Sequence, residues 1–405
     1  MPKLLQLNAS VGRGSTGRIA ETIAELATAR GWDCYIAHGA RYIGKTHMKT
    51  YQVSTKFYEM LHYVKSVIMD AHGLGSVRAT KRLIKWIKEL SPDVIHIHNL
   101  HGYWVNYEML FKFLNKSNIP IVWTFHDCWA ITGHCAMFTA SFCDKWKTEC
   151  VDCHHLDWYP KSIILDRSLK NFQKKRRLFT SSSKLMIVSV SNWLDEIVGQ
   201  SYFRKMPHIV IPNGIDTSVF YPRIDTKQIT REKYGLGDKI VVLSVADKWN
   251  EGIGLSDIPK LRQLLDDRFI IVIVGVKQKQ KDILPTGVIG ILHTSSRDEL
   301  AELYTVADIS FTPQTVATFG LVSAESMACG TPAIVYDAAA AAEVVGDTGH
   351  VVPARDIYEL ASTIMKFVRD GGKEKFSSAC VERVLMNYDQ ITNYNRYIDL
   401  YNSMI

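Results

Sequence analysis

The sequence predicts an α/β protein of two doubly wound parallel-sheet domains followed by a C-terminal helix. Its 405 residues exceed one ordinary hydrophobic core and suit two. Short apolar runs bounded by Gly, Pro or charge each precede a helical segment, the pattern of buried parallel strands in βαβ units. Pro207, Pro212, Asn213-Gly214 and Pro222 crowd one stretch, which marks a boundary near residues 205–225.

In chain order, Leu4–Leu7 reads as a strand, Thr16–Arg30 as a helix and Cys34–Ala37 as a second strand. Val94–Ile97, Ile121–Phe125 and Leu185–Val190 continue the first sheet. In the second half, Ile240–Val245, Phe269–Gly275, Val288–Leu292, Ile309–Thr312 and Ala333–Tyr336 are the expected strands. These runs divide the chain into a first domain over 1–206, with a cysteine-rich insertion at 128–160, and a second over 207–385. Residues 386–405 carry Tyr394, Tyr397, Ile398 and Tyr401 at helical spacing, so they are expected as a terminal helix crossing back to the first domain.

Composition excludes several classes. Hydrophobic residues make up 47% and charged residues 22%, the balance of a folded soluble chain rather than a disordered one. The longest clean apolar run, Phe269–Val274, is far short of a bilayer span. The opening residues carry one Lys and no long apolar stretch, so no secretory signal is expected and the location reads as cytoplasmic. Residues 1–210 hold 28 Lys and Arg against 16 Asp and Glu, whereas the remainder is acidic. A basic first half suits an anionic partner such as a phosphate-bearing substrate or a membrane surface. No basic and aromatic reader motif accompanies the charge, so nucleic acid is not expected.

Four segments carry candidate chemistry. Gly12-Arg13-Gly14-Ser15-Thr16-Gly17 opens a helix. It lies too far from its strand, and lacks the acidic partner, for a dinucleotide fingerprint; small residues with free amides still suit a phosphate or carboxylate. The strand at Ile121–Phe125 ends in His126-Asp127, where parallel sheets bind ligands; Asp127 alternatively caps a following helix. Cys135, Cys143, Cys150 and Cys153 fall within nineteen residues and suit a closed structural zinc site. His134, His154 and His155 are alternative ligands, and unligated thiols or disulfides the competing readings. The fourth segment runs from Phe319 to Pro332, FGLVSAESMACGTP. There a glycine-led helix start can hold a diphosphate and Glu325 can accept hydrogen bonds from ribose hydroxyls.

Together with Val210–Asp216 (VIPNGID) and Val188–Trp193 (VSVSNW), these segments resemble the family 4 retaining glycosyltransferases of GT-B architecture, in which two Rossmann-like domains face each other. The run from Trp123 through Thr132-Gly133-His134-Cys135 to Asp144-Lys145-Trp146-Lys147 resembles a narrower branch, the enzymes of colanic-acid and capsule assembly. The resemblance implies transfer of a sugar from a nucleotide diphosphate-sugar to a saccharide or lipid-linked acceptor with retention, without a catalytic metal. The second domain would bind the donor; the first would bind the acceptor and meet an anionic membrane surface. It assigns the ribose to Glu325, the phosphates and donor sugar to Phe319, Gly320 and Leu321, and the transferred sugar to His126. Gly14 and Gly17 match the first-domain loop facing the diphosphate, Asn192 falls in the donor-binding set, and Lys248 matches the first phosphate-binding base.

Three positions depart from the family pattern. Ala317 stands where the first of two paired glutamates is expected, Ile253 where a lysine follows Lys248, and Ala338–Ala342 where a polar stretch precedes Glu343. The alternative reading is therefore a weakened, inactive or deliberately inactivated glycosyltransferase-like binding protein. An epimerase or phosphorylase on the same architecture fits the motifs less well.

Overall fold

In a computed structural model, residues 1–141, 143–247, 249 and 254–405 are described. The first sheet contains β1 (Lys3–Val11), β2 (Asp33–Ile43), β3 (Lys49–Gln52), β4 (Val94–Ile97), β5 (Ile121–Phe125), β6 (Leu185–Ser189) and β7 (His208–Val210). Its order is β3-β2-β1-β4-β5-β6-β7 and every pairing is parallel. The second contains β8 (Ile240–Val245), β9 (Phe269–Val274), β10 (Val288–Ile291), β11 (Ile309–Thr312), β12 (Ala333–Tyr336) and β13 (His350–Val352). Its order is β10-β9-β8-β11-β12-β13, again all parallel. The chain divides into one unit of Met1–Pro212 with Asn393–Ile405 and another of Asn213–Thr392.

Both sheets are covered by helices, which is why their strands read as unbroken apolar runs. In the first unit Leu4, Val94, Val122 and Val188 from successive strands pack with Ile19 and Ile23 of the Gly14–Ala29 helix. In the second, Val242, Ile271, Ile309 and Ile334 pack with Leu360 and Ile364 of the Ile357–Arg369 helix.

Two expectations about helices change. The terminal helix spans Gln390–Met404; Met386 and Asn387 instead close the preceding helix, Gly372–Asn387. Between them Tyr388 and Asp389 carry backbone pairing with Ile215, and that exchange breaks the helical ladder. No helix follows Asp127: residues 126–167 form turns and two single-turn 3₁₀ segments, Thr139–Ser141 and Lys145–Lys147, among the described residues.

The terminal helix is bound to the first sheet through polar contacts beneath apolar ones. Tyr401 stacks edge-on against Trp32, with ring centres 5.7 Å apart. Its hydroxyl lies 2.6 Å from His96 Nδ1, and His96 Nε2 lies 2.8 Å from Thr124 Oγ1. Thr124 in turn donates to the Tyr397 hydroxyl at 3.1 Å. With its hydroxyl hydrogen so used, Thr124 accepts from His96 Nε2–H, and His96 Nδ1 accepts from Tyr401. Only a neutral ring leaves Nδ1 free to accept, and burial supplies that condition. Burial holds His96 well below the usual histidine range.

Burial acts likewise on His62, pushed down to about 4, and on His72 and His98, held well below their usual range. These groups take up protons on unfolding but not in the fold, so stability falls as pH drops below about 6.5 and continues to fall toward their native values. Each contributes a slope of up to about 1.4 kcal/mol per pH unit. The urea midpoint of the first unit is expected to drop steeply between pH 7 and pH 5. A flat profile over that interval would contradict neutral burial.

Candidate functional site

In an open parallel sheet, ligands bind beyond the carboxyl ends of the strands where strand order reverses. The first sheet reverses between β1 and β4, the second between β8 and β11. The candidate segments lie at these two points or along the same sheet edge.

At the first, β1 bulges between Asn8 and Ser10. Asn8 accepts from the Asn99 amide at 3.4 Å, tying the ends of β1 and β4 together. The glycine loop follows directly, because β1 runs on to Val11 rather than ending at Leu7, and the gap expected from the sequence is absent. Gly12, at φ +61°, lies so close to the backbone that an added Cβ would stand 2.4 Å from the Lys45 carbonyl oxygen. Gly14, at φ +71°, begins the helix. Gly17 lets that helix approach Ser10, whose Oγ would stand 3.0 Å from a Cβ there. The helix start has no side-chain cap and no acidic residue in its first turn, so its own side chains do not offset the dipole there.

His126 sits half-buried beyond the end of β5, and the sequence reading missed what holds it. Gln6 donates through Nε2 to the Ala20 carbonyl at 2.7 Å, so its Oε1 faces His98 Nε2, also at 2.7 Å. His98 must donate there, which leaves its Nδ1 to accept from His126 Nε2–H at 3.0 Å. The chain Gln6–His98–His126 thus specifies one tautomer of His126. Burial pushes His126 down to about 4, so the ring is neutral near pH 7. The only trace of this in the sequence is His96-Ile97-His98 in an otherwise apolar strand.

Asp127 does not cap a helix. Its Oδ1 accepts from the Trp129 amide at 2.8 Å, closing a turn, and its Oδ2 pairs with His101 Nε2 at 2.6 Å. Burial works to raise its pKa, but the charge and hydrogen bond of His101 prevail and hold it below the usual carboxylate range. Tyr159 hydroxyl completes the set, 3.0 Å from His101 Nδ1. Asn192 stands exposed along the same sheet edge after β6, at the start of the Asn192–Gln200 helix capped by Ser191.

The cysteine expectation is corrected. Cys135, Cys143, Cys150 and Cys153 line one cavity of about 180 Å³ with Trp146 and His134. Among the described residues, however, no three His, Cys, Asp or Glu side chains form a metal-holding group. Burial pushes Cys135 up to about 12 and Cys150 to about 11, and raises Cys153 as well. Buried hydrogen bonds fasten the insertion instead. Buried His134 pairs with buried Asp70 at 2.7 Å, and buried Lys175 donates to the Trp129 and Thr132 carbonyls at 2.6 and 3.1 Å.

At the second reversal, Gly275 follows β9 so close to the end of β8 that a Cβ would stand 1.7 Å from the Ala246 carbonyl oxygen. The segment after β8 contains Lys248 and Ile253, both outside the described residues. After β11, Gly320 at φ +106° turns the chain into the Leu321–Ala328 helix, which has neither a side-chain cap nor an acid in its first turn. Phe319 is buried edge-on against Tyr388 at 5.2 Å, and the Thr312 and Ser323 hydroxyls lie 3.0 Å apart beneath the turn. Glu325 projects one turn in, with Tyr304 hydroxyl donating to its Oε2 at 3.4 Å.

The half-buried Ala317 gives its carbonyl to the Ala340 amide at 3.1 Å. Within the alanine run, Ala340 and Ala341 are core, which explains small side chains there. Ala339 lies at φ +50°, a left-handed conformation that costs an L-residue about 1–2 kcal/mol.

Comparisons place this geometry among known proteins. The profile "Glycosyltransferase Family 4" matches residues 16–219, and "Glycosyl transferases group 1" matches 227–383. The chain is 26% identical over 359 residues to the "Putative colanic acid biosynthesis glycosyl transferase WcaC" of Escherichia coli K12, covering 85% of this chain and 86% of that one. It is 28% identical over 219 residues to the "MMP alpha-(1->4)-mannosyltransferase" of Mycolicibacterium hassiacum, about half of each chain. Among solved structures, sucrose-phosphate synthase of Thermosynechococcus elongatus superposes with a TM-score of 0.73 at 15% identity, over 100% of this chain and 99% of that one. Anabaena HepE in complex with UDP-glucose gives 0.67 at 14% identity, over the whole of both. At such identities the structures establish the fold, which is GT-B.

Two outcomes follow from the geometry. Replacing His98 by Leu removes the acceptor for His126 Nε2–H, so ¹⁵N-edited NMR is expected to show the single tautomer of His126 giving way to a mixture. An unchanged tautomer would contradict the chain from Gln6. Ala339→Gly is expected to raise stability by about 0.5–1 kcal/mol in urea unfolding, since relief at positive φ exceeds the added chain entropy.

Proposed function

The chain belongs to glycosyltransferase family 4, and on that premise we propose that it moves a sugar from a nucleotide diphosphate-sugar to a saccharide or lipid-linked acceptor, with retention, in surface or capsular polysaccharide assembly. The observation that carries this reading is the constellation after β11. An uncapped, glycine-led helix start sits one turn from Glu325, whose carboxylate is held by a buried tyrosine. Such a start suits a diphosphate, and a carboxylate at that distance suits a ribose. The similarity to a colanic-acid glycosyltransferase over most of both chains supports the polysaccharide setting.

In this reading the second unit holds the donor. The amides at Gly320 and Leu321 and the Lys248 ammonium receive the charge that develops on the leaving diphosphate. Glu325 fixes the nucleoside, and neutral His126 offers a hydrogen bond to the transferred sugar. The acceptor hydroxyl attacks C1 on the face from which the diphosphate departs. The C1–O bond to phosphate breaks, and the hydroxyl proton passes to the freed phosphate oxygen. No protein nucleophile is needed; the contribution of the chain is position and preorganised charge. The first unit takes the acceptor, met at the inner face of the plasma membrane.

The test is transfer itself, using a panel of UDP- and GDP-sugars with a lipid-linked saccharide and assigning the product anomer by NMR. Retained configuration is expected. Glu325→Gln is expected to lose about 10- to 100-fold in kcat/KM, the equivalent of one charged hydrogen bond. Ala317→Glu is expected to raise turnover. An inverted product, or a Glu325→Gln variant with undiminished transfer, would overturn the assignment.

A further inference from the structure

The helix Lys56–Met69 is inside out. Its buried face is polar: Glu59, His62 and Ser66 point into the first unit. Its outward face is apolar, with Phe57 67% exposed, Met60 and Leu61 each 50%, Val64 44% and Ile68 41%. The spacing of these residues, at 57, 60, 61, 64 and 68, is one continuous stripe of a helix. A soluble surface helix carries the opposite arrangement.

The orientation is fixed. Glu59 Oε1 accepts from the Ala40 amide at 2.6 Å, and Arg41 Nε lies 3.5 Å from its other oxygen. His62 Nδ1 donates to the Tyr103 carbonyl at 2.7 Å and its Nε2 accepts from the Gly75 amide at 2.9 Å. Rotating the stripe inward would break all of these. The stripe is also extended sideways. Ile163 donates its amide to the Val67 carbonyl at 2.8 Å, seating the loop Ile163–Leu165 beside the helix with Ile163 61% and Ile164 65% exposed.

Charge selects the occupant. The only acid on this helix, Glu59, is turned inward, while Lys56 and Lys65 are exposed. Lys161 precedes the loop. Asp166 follows it, with its carboxylate committed to the Cys153 and Ser168 amides at 2.7 and 2.8 Å. An isologous contact with a second copy would set lysine against lysine with no exposed acid on the helix to pair them. An apolar stripe rimmed by lysine complements anionic headgroups over acyl chains. We propose that the outward face of Lys56–Met69, with the Ile163–Leu165 loop, docks the first unit on an anionic lipid surface. The docking deepens the lipid-linked acceptor reading and draws its purpose from it.

Co-sedimentation tests it with vesicles of phosphatidylcholine and phosphatidylglycerol in equal amounts against phosphatidylcholine alone. The full chain is expected to bind the mixed vesicles at least tenfold more tightly, and added salt to weaken that binding. Phe57→Ser/Leu61→Ser/Ile164→Ser is expected to lose at least tenfold in vesicle binding with its unfolding midpoint kept, because the altered side chains are exposed. Lys56→Gln/Lys65→Gln is expected to erase the preference for phosphatidylglycerol. Unchanged binding by the triple variant would overturn the proposal. So would a dimer in sedimentation equilibrium that the triple variant dissociates, since that assigns the stripe to a second copy. Binding is read without donor or acceptor, and transfer to a water-soluble saccharide acceptor is expected to survive the triple variant. Failure here and failure of the transferase reading are thereby distinguishable.

Discussion

The constraint on which both units depend is the reversal of strand order in an all-parallel sheet. Where neighbouring crossovers leave in opposite directions, the carboxyl ends of two strands stand open, with no connection covering them. In the first unit that opening receives the glycine loop after β1 and His98 after β4. In the second it receives Ala246 after β8 and the Gly320-led helix after β11. Glycine recurs at these edges because backbone meets backbone: at Gly12 and Gly275 a side chain would collide with a carbonyl oxygen.

Around the first opening, polar groups that a hydrophobic layer would otherwise exclude are paired in series. Gln6, His98 and His126 form one chain, and Tyr401, His96, Thr124 and Tyr397 another. Each histidine is neutral because burial penalises its charged form, and each neutral ring has one donor and one acceptor to place. The network therefore specifies direction as well as position. Its cost is dependence on every member, since a buried polar atom left unpaired loses more than a hydrogen bond contributes.

Much of this was legible in the sequence. The central strands were, because burial on both faces leaves unbroken runs such as FIIVIV at Phe269–Val274. Of the edge strands, Val288–Ile291 was, but Lys49–Gln52 reads as polar and His208–Val210 as a fragment. The last two gain order from pairing with β2 and β6, which leaves no periodicity to detect. The glycine-led helix start at Gly320 and the motif's second glutamate, Glu325, were visible, yet the Tyr304 contact was not, being a pairing across twenty-one positions. The four cysteines looked like a zinc site by spacing alone; their convergence depends on three-dimensional placement, and the structure makes them the wall of a cavity, with no metal-holding group among the described residues. The inverted Lys56–Met69 helix escaped notice because periodicity reports two faces without saying which one is buried.

The account turns on the donor binding at the second reversal of strand order. Hydrogen exchange with and without a nucleoside diphosphate measures this directly. Protection is expected at the start of the Leu321–Ala328 helix and in the segment following β8, with the outer strands of that sheet unchanged. Protection confined to other parts of the chain, or none at saturating nucleotide, would contradict it.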